Sequence, residues 1–414
     1  MPPLAGSGLA GHSSHKGSPV VSEGKKRIVF TWELGEGMGH MVPYIPLVRS
    51  LHAMGCEVVF LVRDPGRAEG LVGKEEVRCL HAPQKTPLAG KGIRVPCTYT
   101  HILHNNGFSD LEFLAGMVQK WREMYDTLKP SLVIFDHTPT GVLASAGYEF
   151  KKIHMGTGFT IPPDIYPLPN LRTWLKINPE RLQREEDYIL GVMNRVLARL
   201  KAPPFKSIGE LFSQDPRVLM TYKELDPYGE RPNETYWGTW MTPMGEDPVW
   251  PDKPGKRVFA YLKPFPALAA LLALFKKLNM PTLAYIPGLD RSTKEKIGSP
   301  WLKFVDRPLN MEKVASQCDL AILNGTHYTT AQLLFAGKPT LHFPLYLEQH
   351  LTARKIEQLG VGLYVSRSEE MEARLGLMVD SDFYSGKAKA FSERYKDSGG
   401  RNQRVNRLVE AMLM

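Results

Sequence analysis

The chain of 414 residues is poor in cysteine and has no apolar stretch long enough to cross a membrane. Its four cysteines have no spacing typical of a zinc site or a redox pair, so the fold needs no disulfide and a reducing cytoplasm is the expected location. The longest apolar run, from Ala267 to Phe275, falls far short of a bilayer span. Residues 1–24 lack the basic start and apolar core of a signal peptide, and we expect a disordered tail there.

Acidic residues are in the minority. Lys and Arg number 52 against 43 Asp and Glu, which gives a net charge of +9. Such a surface attracts anions, but no run of basic residues interleaved with aromatics and no nucleic-acid motif is present, so a nucleic-acid partner is not expected. A peripheral contact with a membrane surface stays open, as does the choice between a monomer and a homodimer. No cluster of Asp and Glu has metal-like spacing, so neither a metal nor another cofactor is expected.

Short apolar runs rich in β-branched residues alternate with helical stretches along much of the chain. The runs Arg27–Thr31, Glu57–Val62 and Ser131–Phe135 predict buried parallel strands, and Leu111–Leu128 predicts a helix between two of them. A second series begins at Arg257–Leu262. We therefore predict an α/β protein with two doubly wound domains and a ligand cleft between them, at the carboxyl ends of the strands.

The segment from Asn324 to Gln349 carries the strongest chemical signal. It follows a predicted strand, Asp319–Leu323, and passes through a small polar loop into a helix that is predicted to open at Thr329 and Thr330. The unpaired N–H groups and the dipole of a helix start suit a phosphate. The next predicted strand, Pro339–Pro344, leads to the acid–amide pair Glu348 and Gln349, which suits sugar hydroxyls. The segment therefore predicts a nucleotide-sugar site.

A glycine-containing loop that ends at His40 follows the first predicted strand. A dinucleotide site is disfavoured, because His40 stands where the fingerprint requires its last glycine. A pKa near 6.5 suits His40 to act as a general base, while a loop histidine that caps the backbone is the structural alternative. Asp136, at the end of its own strand, could orient His40 as the acid of a catalytic triad does, or could serve as a cap or turn residue. His137 could take either part.

Together these motifs resemble the GT-B nucleotide-sugar glycosyltransferases, and most of all the UDP-glycosyltransferase family with its bacterial antibiotic and macrolide relatives. The amino-terminal signature of that family stands here as Gly39-His40-Met41-Val42-Pro43. The carboxyl-terminal signature stands as Asn324-Gly325-Thr326, Thr329, Gln332, Gly337-Lys338-Pro339, Pro344 and Glu348-Gln349. The resemblance implies a Rossmann-like acceptor domain over 25–241, a linker over 242–255, a nucleotide-sugar domain over 256–400 and a final helix over 401–414 that crosses back to the first domain.

The resemblance also implies the roles of individual residues. His40 would deprotonate the acceptor hydroxyl, and Asp136 would orient it. The loop from Thr326 to Thr329 would hold the donor diphosphate, Gln332 would face the ribose, and the pair Glu348 and Gln349 would hold the donor sugar. The remaining donor-binding residues implied by the resemblance are Gly39, Arg307, Asn324, Gly325, His327 and Tyr328.

One position departs from the family pattern, because Asn324 stands where the family has a diphosphate-binding histidine. Asparagine can donate a hydrogen bond but carries no charge. The positive charge should then come from the helix dipole, from His327 or from a lysine such as Lys263. Otherwise the donor is bound weakly or the activity is lost.

The predicted function is inverting transfer of a sugar from a UDP- or TDP-sugar to a hydroxyl of a hydrophobic small-molecule or lipid-like acceptor. Two alternatives stay open at this point. A nucleotide-sugar 2-epimerase shares the fold and needs no acceptor. A catalytically degenerate protein would bind the nucleotide sugar without transferring it.

Overall fold

The computed structural model describes residues 25–35, 38–72, 77–84, 92–240, 244–396 and 401–414. The predicted tail over 1–24 lies outside these residues. Within them, the chain forms two six-stranded sheets whose neighbouring strands all run parallel. The predicted α/β class and the two doubly wound units are confirmed.

The first sheet has the strand order β3-β2-β1-β4-β5-β6. Its central strands are almost wholly buried, as expected where helices cover both faces of a parallel sheet. Its strands are β1 (Arg27–Trp32), β2 (Glu57–Val62), β3 (Arg78–His81), β4 (Leu132–Asp136), β5 (Lys151–Gly156) and β6 (Arg217–Leu219).

The second sheet repeats this connectivity, with the strand order β12-β11-β10-β7-β8-β9. In each sheet the strand order therefore reverses between two adjacent strands, β1 and β4 in the first and β7 and β10 in the second. Ligands of such sheets bind at the carboxyl ends of these strands. The strands are β7 (Val258–Tyr261), β8 (Thr282–Tyr285), β9 (Leu302–Val305), β10 (Leu320–Leu323), β11 (Thr340–His342) and β12 (Gly362–Tyr364).

Helices cover both sheets, and loops at the carboxyl ends of the strands lead into them. In the first half they are α1 (Ile45–Ala53), α2 (Pro65–Val72), α3 (Tyr99–Leu103), α4 (Leu111–Leu128), α5 (Pro139–Ala144), α6 (Pro179–Arg199) and α7 (Glu210–Ser213). In the second half they are α8 (Leu268–Leu278), α9 (Arg291–Ile297), α10 (Met311–Gln317), α11 (His327–Phe335), α12 (Leu347–Gln358), α13 (Met371–Asp380), α14 (Phe383–Lys396) and α15 (Arg401–Leu413). Short helical turns cover Met38–His40, Val42–Tyr44, His104–Phe108, Lys223–Leu225 and Ser368–Glu370.

Helix α4 shows how directly the sequence sets local structure. Its observed bounds, Leu111–Leu128, are those predicted, because local signals mark both ends. The Asp110 carboxylate accepts a hydrogen bond of 2.9 Å from the backbone N–H of Phe113 at the start. Lys129 takes a left-handed conformation at the end, with φ of 46°.

Helix α11 corrects one prediction. It begins at His327, with Thr326 as the residue before its first turn, whereas the sequence pattern placed the start at Thr329 and Thr330. The hydroxyl of Thr330 instead donates to the carbonyl of Thr326 at 2.8 Å, inside the first turn. The polar residues Asn324, Gly325 and Thr326 therefore form a shorter loop than expected.

The last helix, α15, packs on the amino-terminal sheet. Val405, Val409 and Leu413 belong to the apolar cluster that covers one face of β1 and β2. The amide of Asn406 donates to the Ser50 hydroxyl at 2.8 Å, and the ammonium group of Lys26 donates to the carbonyl of Leu413. Residues from the two ends of the described chain therefore meet in one half of the molecule.

Apolar side chains from the two halves pack against each other beside the cleft. Phe159 and Leu171 of the first half form a buried cluster with Leu347 and Leu351 of α12. This contact fixes the start of α12, which carries the predicted sugar-binding pair, against the amino-terminal half. In the described ranges, no helix is long and apolar enough to cross a membrane.

Candidate active site

The sheet topology brings the predicted base and its partner together. Strands β1 and β4 are adjacent, and Trp32 pairs in register with Asp136 at their carboxyl ends. The loop that leaves β1 carries His40, and its Nδ1 atom lies 3.0 Å from Oδ2 of Asp136. Because a carboxylate only accepts hydrogen bonds, Nδ1 is the protonated nitrogen, and Nε2 presents a lone pair.

Two neighbours fix the geometry of this dyad. The hydroxyl of Tyr44, in the turn after His40, donates to Oδ2 of Asp136 at 2.9 Å. The indole ring of Trp32 stacks on the imidazole ring of His40, with ring centroids 4.9 Å apart. Asp136 is only 3% exposed, so its carboxylate is bound by these side chains rather than by bulk water.

The surroundings of His40 suit a base that is protonated during the reaction. Burial acts to lower the pKa of His40, but the charge of Asp136, its hydrogen bond and the charge of Glu348 outweigh burial and raise the pKa above 6.5. The carboxylate thus stabilises the imidazolium that forms when Nε2 accepts a proton. This is the arrangement of a general base held by an acid.

Gly35 leaves room for the imidazole ring. Its φ of +88° lies in the left-handed region, and a Cβ atom built there would lie 2.8 Å from Nε2 of His40. The same Cβ would lie 3.5 Å from Nδ1 of His137. Absence of a side chain at Gly35 therefore leaves the reactive nitrogen of His40 unobstructed on that side.

The predicted donor segment forms the opposite side of the site. The loop after β10 lies against the start of α12. A Cβ atom built at Gly325 would lie only 2.8 Å from the backbone oxygen of Gln349. With φ of +93°, Gly325 permits this close approach. The first N–H groups of α11 and the pair Glu348 and Gln349 are therefore brought together.

Among the residues that the structure describes, two buried nitrogen atoms of this segment find no hydrogen-bond partner: Nε2 of His327 and Nε2 of Gln349. Buried polar groups are almost always paired, so these two atoms fit a ligand-binding role. The other end of the Gln349 amide is fixed, since its Oε1 accepts a hydrogen bond of 2.8 Å from the N–H of Leu345. Burial lowers the pKa of His327 to about 4, so this side chain is neutral near pH 7 and is not the source of positive charge.

The carboxyl group of Glu348 interacts through its charge with His40 and Asp136. Burial raises the pKa of its carboxyl group, the charge of His40 lowers it, and the charge of Asp136 raises it further. A cleft of about 470 Å³ adjoins this region. Its lining combines apolar side chains, such as Trp32, Met41 and Ile102, with charged ones, such as Arg63 and Lys263.

Among curated proteins, two relatives show what the chain is similar to. It is 25% identical over 412 residues to the PGL/p-HBAD biosynthesis rhamnosyltransferase of Mycobacterium tuberculosis, which covers 93% of this chain and 87% of that protein. It is 29% identical over 106 residues to the NDP-glycosyltransferase YjiC of Bacillus subtilis, a match that covers 24% of this chain and 26% of YjiC. No protein-family model matches the chain.

Solved structures match over almost the whole chain. CalG4, the calicheamicin glycosyltransferase, superposes with a TM-score of 0.67 at 15% identity, over 94% of this chain and 98% of CalG4. The chain is a glycosyltransferase of the GT-B fold. The glycosyltransferase VinC, solved in complex with DTDP, matches with a TM-score of 0.63 at 14% identity, over 93% of this chain and 99% of VinC.

These findings confirm the resemblance to antibiotic and macrolide glycosyltransferases. None of the proteins named above is an epimerase. The roles assigned to individual residues of this glycosyltransferase rest on its own geometry.

The side chain of Asn324 makes two hydrogen bonds to the backbone. Its Oδ1 accepts a hydrogen bond of 2.6 Å from the N–H of Lys263, and its Nδ2 donates to the carbonyl of Phe343 at 2.8 Å. The side chain thus links the loops that follow β7 and β11. These contacts assign the amide to the backbone rather than to a diphosphate.

Two other predicted donor-binding residues have protein partners. The amide nitrogen of Gln332 donates to the carbonyl of Trp240 at 2.7 Å, so one N–H of this amide is engaged by the backbone. The guanidinium group of Arg307 lies 3.0 Å from a carboxylate oxygen of Glu246 and is 78% exposed. It is not brought together with the dyad.

Sequence reasoning overlooked one tyrosine of the site, Tyr44, and missed a contact that a second one, Tyr328, makes. Tyr44 lies four residues after His40 in consecutive short helical turns, and that spacing could have pointed to it. Tyr328 was included only as part of the donor loop, but its ring packs under Gly39, where an added Cβ would lie 3.1 Å away. Of the predicted residues, Gly39 and Tyr328 therefore contact each other across the two halves.

Proposed function

We propose that this glycosyltransferase moves a sugar from a UDP- or TDP-sugar to a hydroxyl of a hydrophobic small-molecule acceptor, with inversion at the anomeric carbon. One observation carries the proposal: the His40–Asp136 dyad faces the polar loop and the acid–amide pair of the other half. A base on one side and a donor cradle on the other are the parts that direct displacement requires.

The reaction follows from the positions of these groups. Nε2 of His40 accepts the proton of the acceptor hydroxyl while its oxygen forms a bond to the anomeric carbon of the donor. The bond from that carbon to the diphosphate oxygen breaks on the opposite side, and the nucleoside diphosphate leaves with the electron pair. Asp136 stabilises the imidazolium, and Glu348 and Gln349 hold the sugar hydroxyls.

The leaving diphosphate needs a partner of positive character. The first N–H groups of α11 and the positive end of its dipole are such a partner, and the backbone N–H of Lys263 is hydrogen-bonded to Asn324 in the loop before α11. Across the described residues, no three side chains of His, Cys, Asp or Glu are grouped to hold a metal ion. We therefore assign stabilisation of the leaving group to the helix start and to lysine.

Named relatives support the choice of donors to test. VinC and SsfS6 were both solved with thymidine diphosphate, and the relative that covers most of the chain is named a rhamnosyltransferase. TDP-linked deoxysugars such as TDP-rhamnose are accordingly the first candidates. The volume of the cleft fits a small molecule, and its apolar residues, among them Trp32, Met41 and Ile102, offer contacts to a hydrophobic acceptor.

A thermal-shift screen of UDP- and TDP-sugars tests the donor. A donor present at one hundred times its dissociation constant should stabilise the fold by about 2.7 kcal/mol. The donor found in this way is then incubated with hydroxylated aromatic and lipid-like acceptors, and the anomeric configuration of the product is read by NMR.

Each outcome of this screen decides one point. Stabilisation by no nucleotide sugar would remove the donor proposal, and a product with retained configuration would remove direct displacement. Binding without release of nucleoside diphosphate with any acceptor would favour the degenerate binding protein. Conversion of the donor alone into its 2-epimer would favour the epimerase.

A further inference from the structure

A second cavity lies in the first half of the molecule, apart from the cleft beside the dyad. Its volume is about 660 Å³, which suits a small molecule. Helix α3 and the turn that follows it separate the two spaces. Ile102 and Asn106 line the cleft, whereas His101 and His104 line the second cavity. Among the residues that the structure describes, the two linings share no member, so the residues assigned to sugar transfer do not account for this cavity.

Hydrogen bonds fix the segment 92–97, which forms one wall of the second cavity. The backbone N–H of Ile93 donates to the side-chain amide oxygen of Asn105 at 2.7 Å, and the amide nitrogen of Asn105 donates to the carbonyl of Ile93 at 2.9 Å. At the other end of the segment, the N–H of Leu171 donates to the carbonyl of Cys97 at 2.7 Å. Contacts within the protein therefore hold this wall at both ends.

The buried side chain of His101 forms part of the lining and is fixed by two hydrogen bonds. Its Nδ1 accepts a hydrogen bond of 3.0 Å from the N–H of Cys97, so the ring carries its proton on Nε2 and is neutral. Burial lowers the pKa of His101, in agreement with a neutral ring. Its Nε2 donates to Oε2 of Glu185 at 2.8 Å, and Oε1 of Glu185 accepts from Arg181 at 2.9 Å. Both oxygens of the Glu185 carboxylate are thus engaged, and Arg181 balances its charge.

Two further arginines, Arg94 and Arg184, give the lining an excess of positive charge. Within the described ranges, Arg94 has no ion pair. Arg184 lies 3.8 Å from a carboxylate oxygen of Glu180 on α6, and both of these side chains are largely exposed, so the pair is weak. A guanidinium group presents its N–H donors in a planar fork that fits a carboxylate or a phosphate. These two arginines are therefore available to bind an anionic group.

The same cavity is lined by apolar side chains that are unusually exposed. Val95, Leu175 and Tyr188 are 50%, 38% and 53% exposed. Single exposed apolar side chains are common on protein surfaces, but a group of them around one cavity is typical of a binding site. The ring of Tyr188 is held in place, since its hydroxyl donates to the carbonyl of Ser109 at 2.8 Å. The cavity therefore offers an apolar surface beside its arginines.

We propose that this cavity is a second ligand site of the glycosyltransferase and that it binds an amphiphilic anion. The carboxylate or phosphate group of such a molecule contacts Arg94 and Arg184, and its alkyl or aryl body covers the exposed apolar side chains. A neutral amphiphile would leave the arginines without a counter-ion, and a small inorganic anion would leave the apolar surface in water. The inference goes beyond the proposed function, because neither the dyad nor the sugar donor takes part in this binding.

Isothermal titration calorimetry of the full chain with octanoate and with octyl phosphate, without donor or acceptor, tests the proposal. Saturable binding at one site is expected for at least one of the two anions, and the one that binds more tightly identifies the head group. Acetate and 1-octanol each carry only half of the required chemistry. Both should bind at least roughly tenfold more weakly than octanoate or octyl phosphate, whichever of the two binds more tightly.

Substitutions at the exposed rim assign the binding to this cavity. Arg94→Gln and Arg184→Gln should each weaken binding of the preferred anion roughly five- to tenfold, because each removes a charge-assisted hydrogen bond. Leu175→Asn should weaken it roughly three- to fivefold through loss of apolar contact. Arg195→Gln is the matched control, because Arg195 is an exposed arginine of α6 that is not part of the lining, and it should leave the affinity unchanged.

Equal affinity for the anion in Arg94→Gln, Arg184→Gln and Arg195→Gln would overturn the proposal, since the anion would then bind elsewhere, as in the cleft. Absence of saturable binding of both anions to the native chain would also overturn it. In that case, binding of the native chain to phosphatidylglycerol vesicles that Arg94→Gln weakens would assign this face to a membrane surface instead. Because no sugar donor enters the titration, its result is independent of whether sugar transfer is found.

Discussion

The two halves of this glycosyltransferase share one strand order but differ where that order reverses. In the amino-terminal half, the polar side chains at this point bind one another, as His40, Asp136 and Tyr44 do. In the carboxyl-terminal half, they bind the backbone, as Asn324 does, or have a buried nitrogen without a partner among the described residues, as Gln349 does. The first half thus carries an assembled acid–base pair, and the second offers hydrogen-bonding groups to a ligand.

The largest expected effect comes from removal of the base itself. His40→Ala should lower the rate of sugar transfer about 10²- to 10⁴-fold, because no other group replaces Nε2 as proton acceptor. Binding of the donor, which belongs to the other half, should change little. Transfer kinetics and a donor thermal shift measure the two effects, and His52→Ala on α1 serves as the control histidine.

An unchanged transfer rate in His40→Ala would end its assignment as base. If His40→Ala lost donor binding as well as the rate of sugar transfer, then His40 would also contribute to binding of the donor, and the base and the donor site would not be separate.

Asp136→Asn should lower the transfer rate about 10²-fold and reverse the pKa shift of His40. In the native protein the pKa is raised above 6.5, so kcat/KM should fall as the pH drops through a value above 6.5, where the base becomes protonated. Without the carboxylate charge, burial dominates and lowers the pKa, so the acid limb should move to lower pH. Profiles of kcat/KM against pH for both proteins give the two midpoints.

An acid limb that stays in place in Asp136→Asn would show that Asp136 does not set the proton affinity of His40. In that case Glu348, on the other side of the cleft, would be the main source of the raised pKa.

Gly35→Ala should reduce turnover about tenfold, because the new methyl group would lie 2.8 Å from Nε2 of His40. Gly55→Ala is the matched control, since Gly55 also has a positive φ, of 77°, but has nothing within 4 Å of its Cβ position. Both substitutions should cost about 1–2 kcal/mol in the free energy of unfolding through backbone strain. Equal turnover in the two variants would show that the space beside Nε2 is not needed.

Gln349→Leu should act on donor binding rather than on turnover, with a rise of about tenfold in donor KM, which corresponds to about 1.4 kcal/mol. The rate at saturating donor should change less, because the dyad is intact. Gln332→Leu removes another buried amide, one already bonded to Trp240, and should cost stability without the same rise in donor KM. A larger rise in Gln332→Leu would restore its predicted contact with the ribose.

Much of the fold could be read from the sequence because its signals are local. Apolar β-branched runs predicted β1, β2 and β4 to within a residue, and the helical stretch that ends before Pro130 predicted the bounds of α4. The pairing of His40 with Asp136 was one of two open interpretations of these residues, and the adjacency of β1 and β4 explains it, since the loop after β1 and the end of β4 lie at the same edge of the sheet.

The remaining features depend on tertiary contacts that no local pattern encodes. The neutral state of His327 arises from burial, which only the packed structure defines. The two backbone partners of Asn324 lie 61 and 19 residues away in the chain. Tyr328 looked like a loop residue because its partners belong to the other half of the molecule.

The position of α15 has a mechanical consequence. The chain passes from the first half to the second after β6, and α15 packs on the first half again, so two covalent connections join the halves. Two covalent connections restrict a displacement of one half relative to the other more than a single connection would. A reporter fused after Met414 lies on the half that holds His40, and a second on α9 lies on the other half, so energy transfer between them measures the distance between the halves.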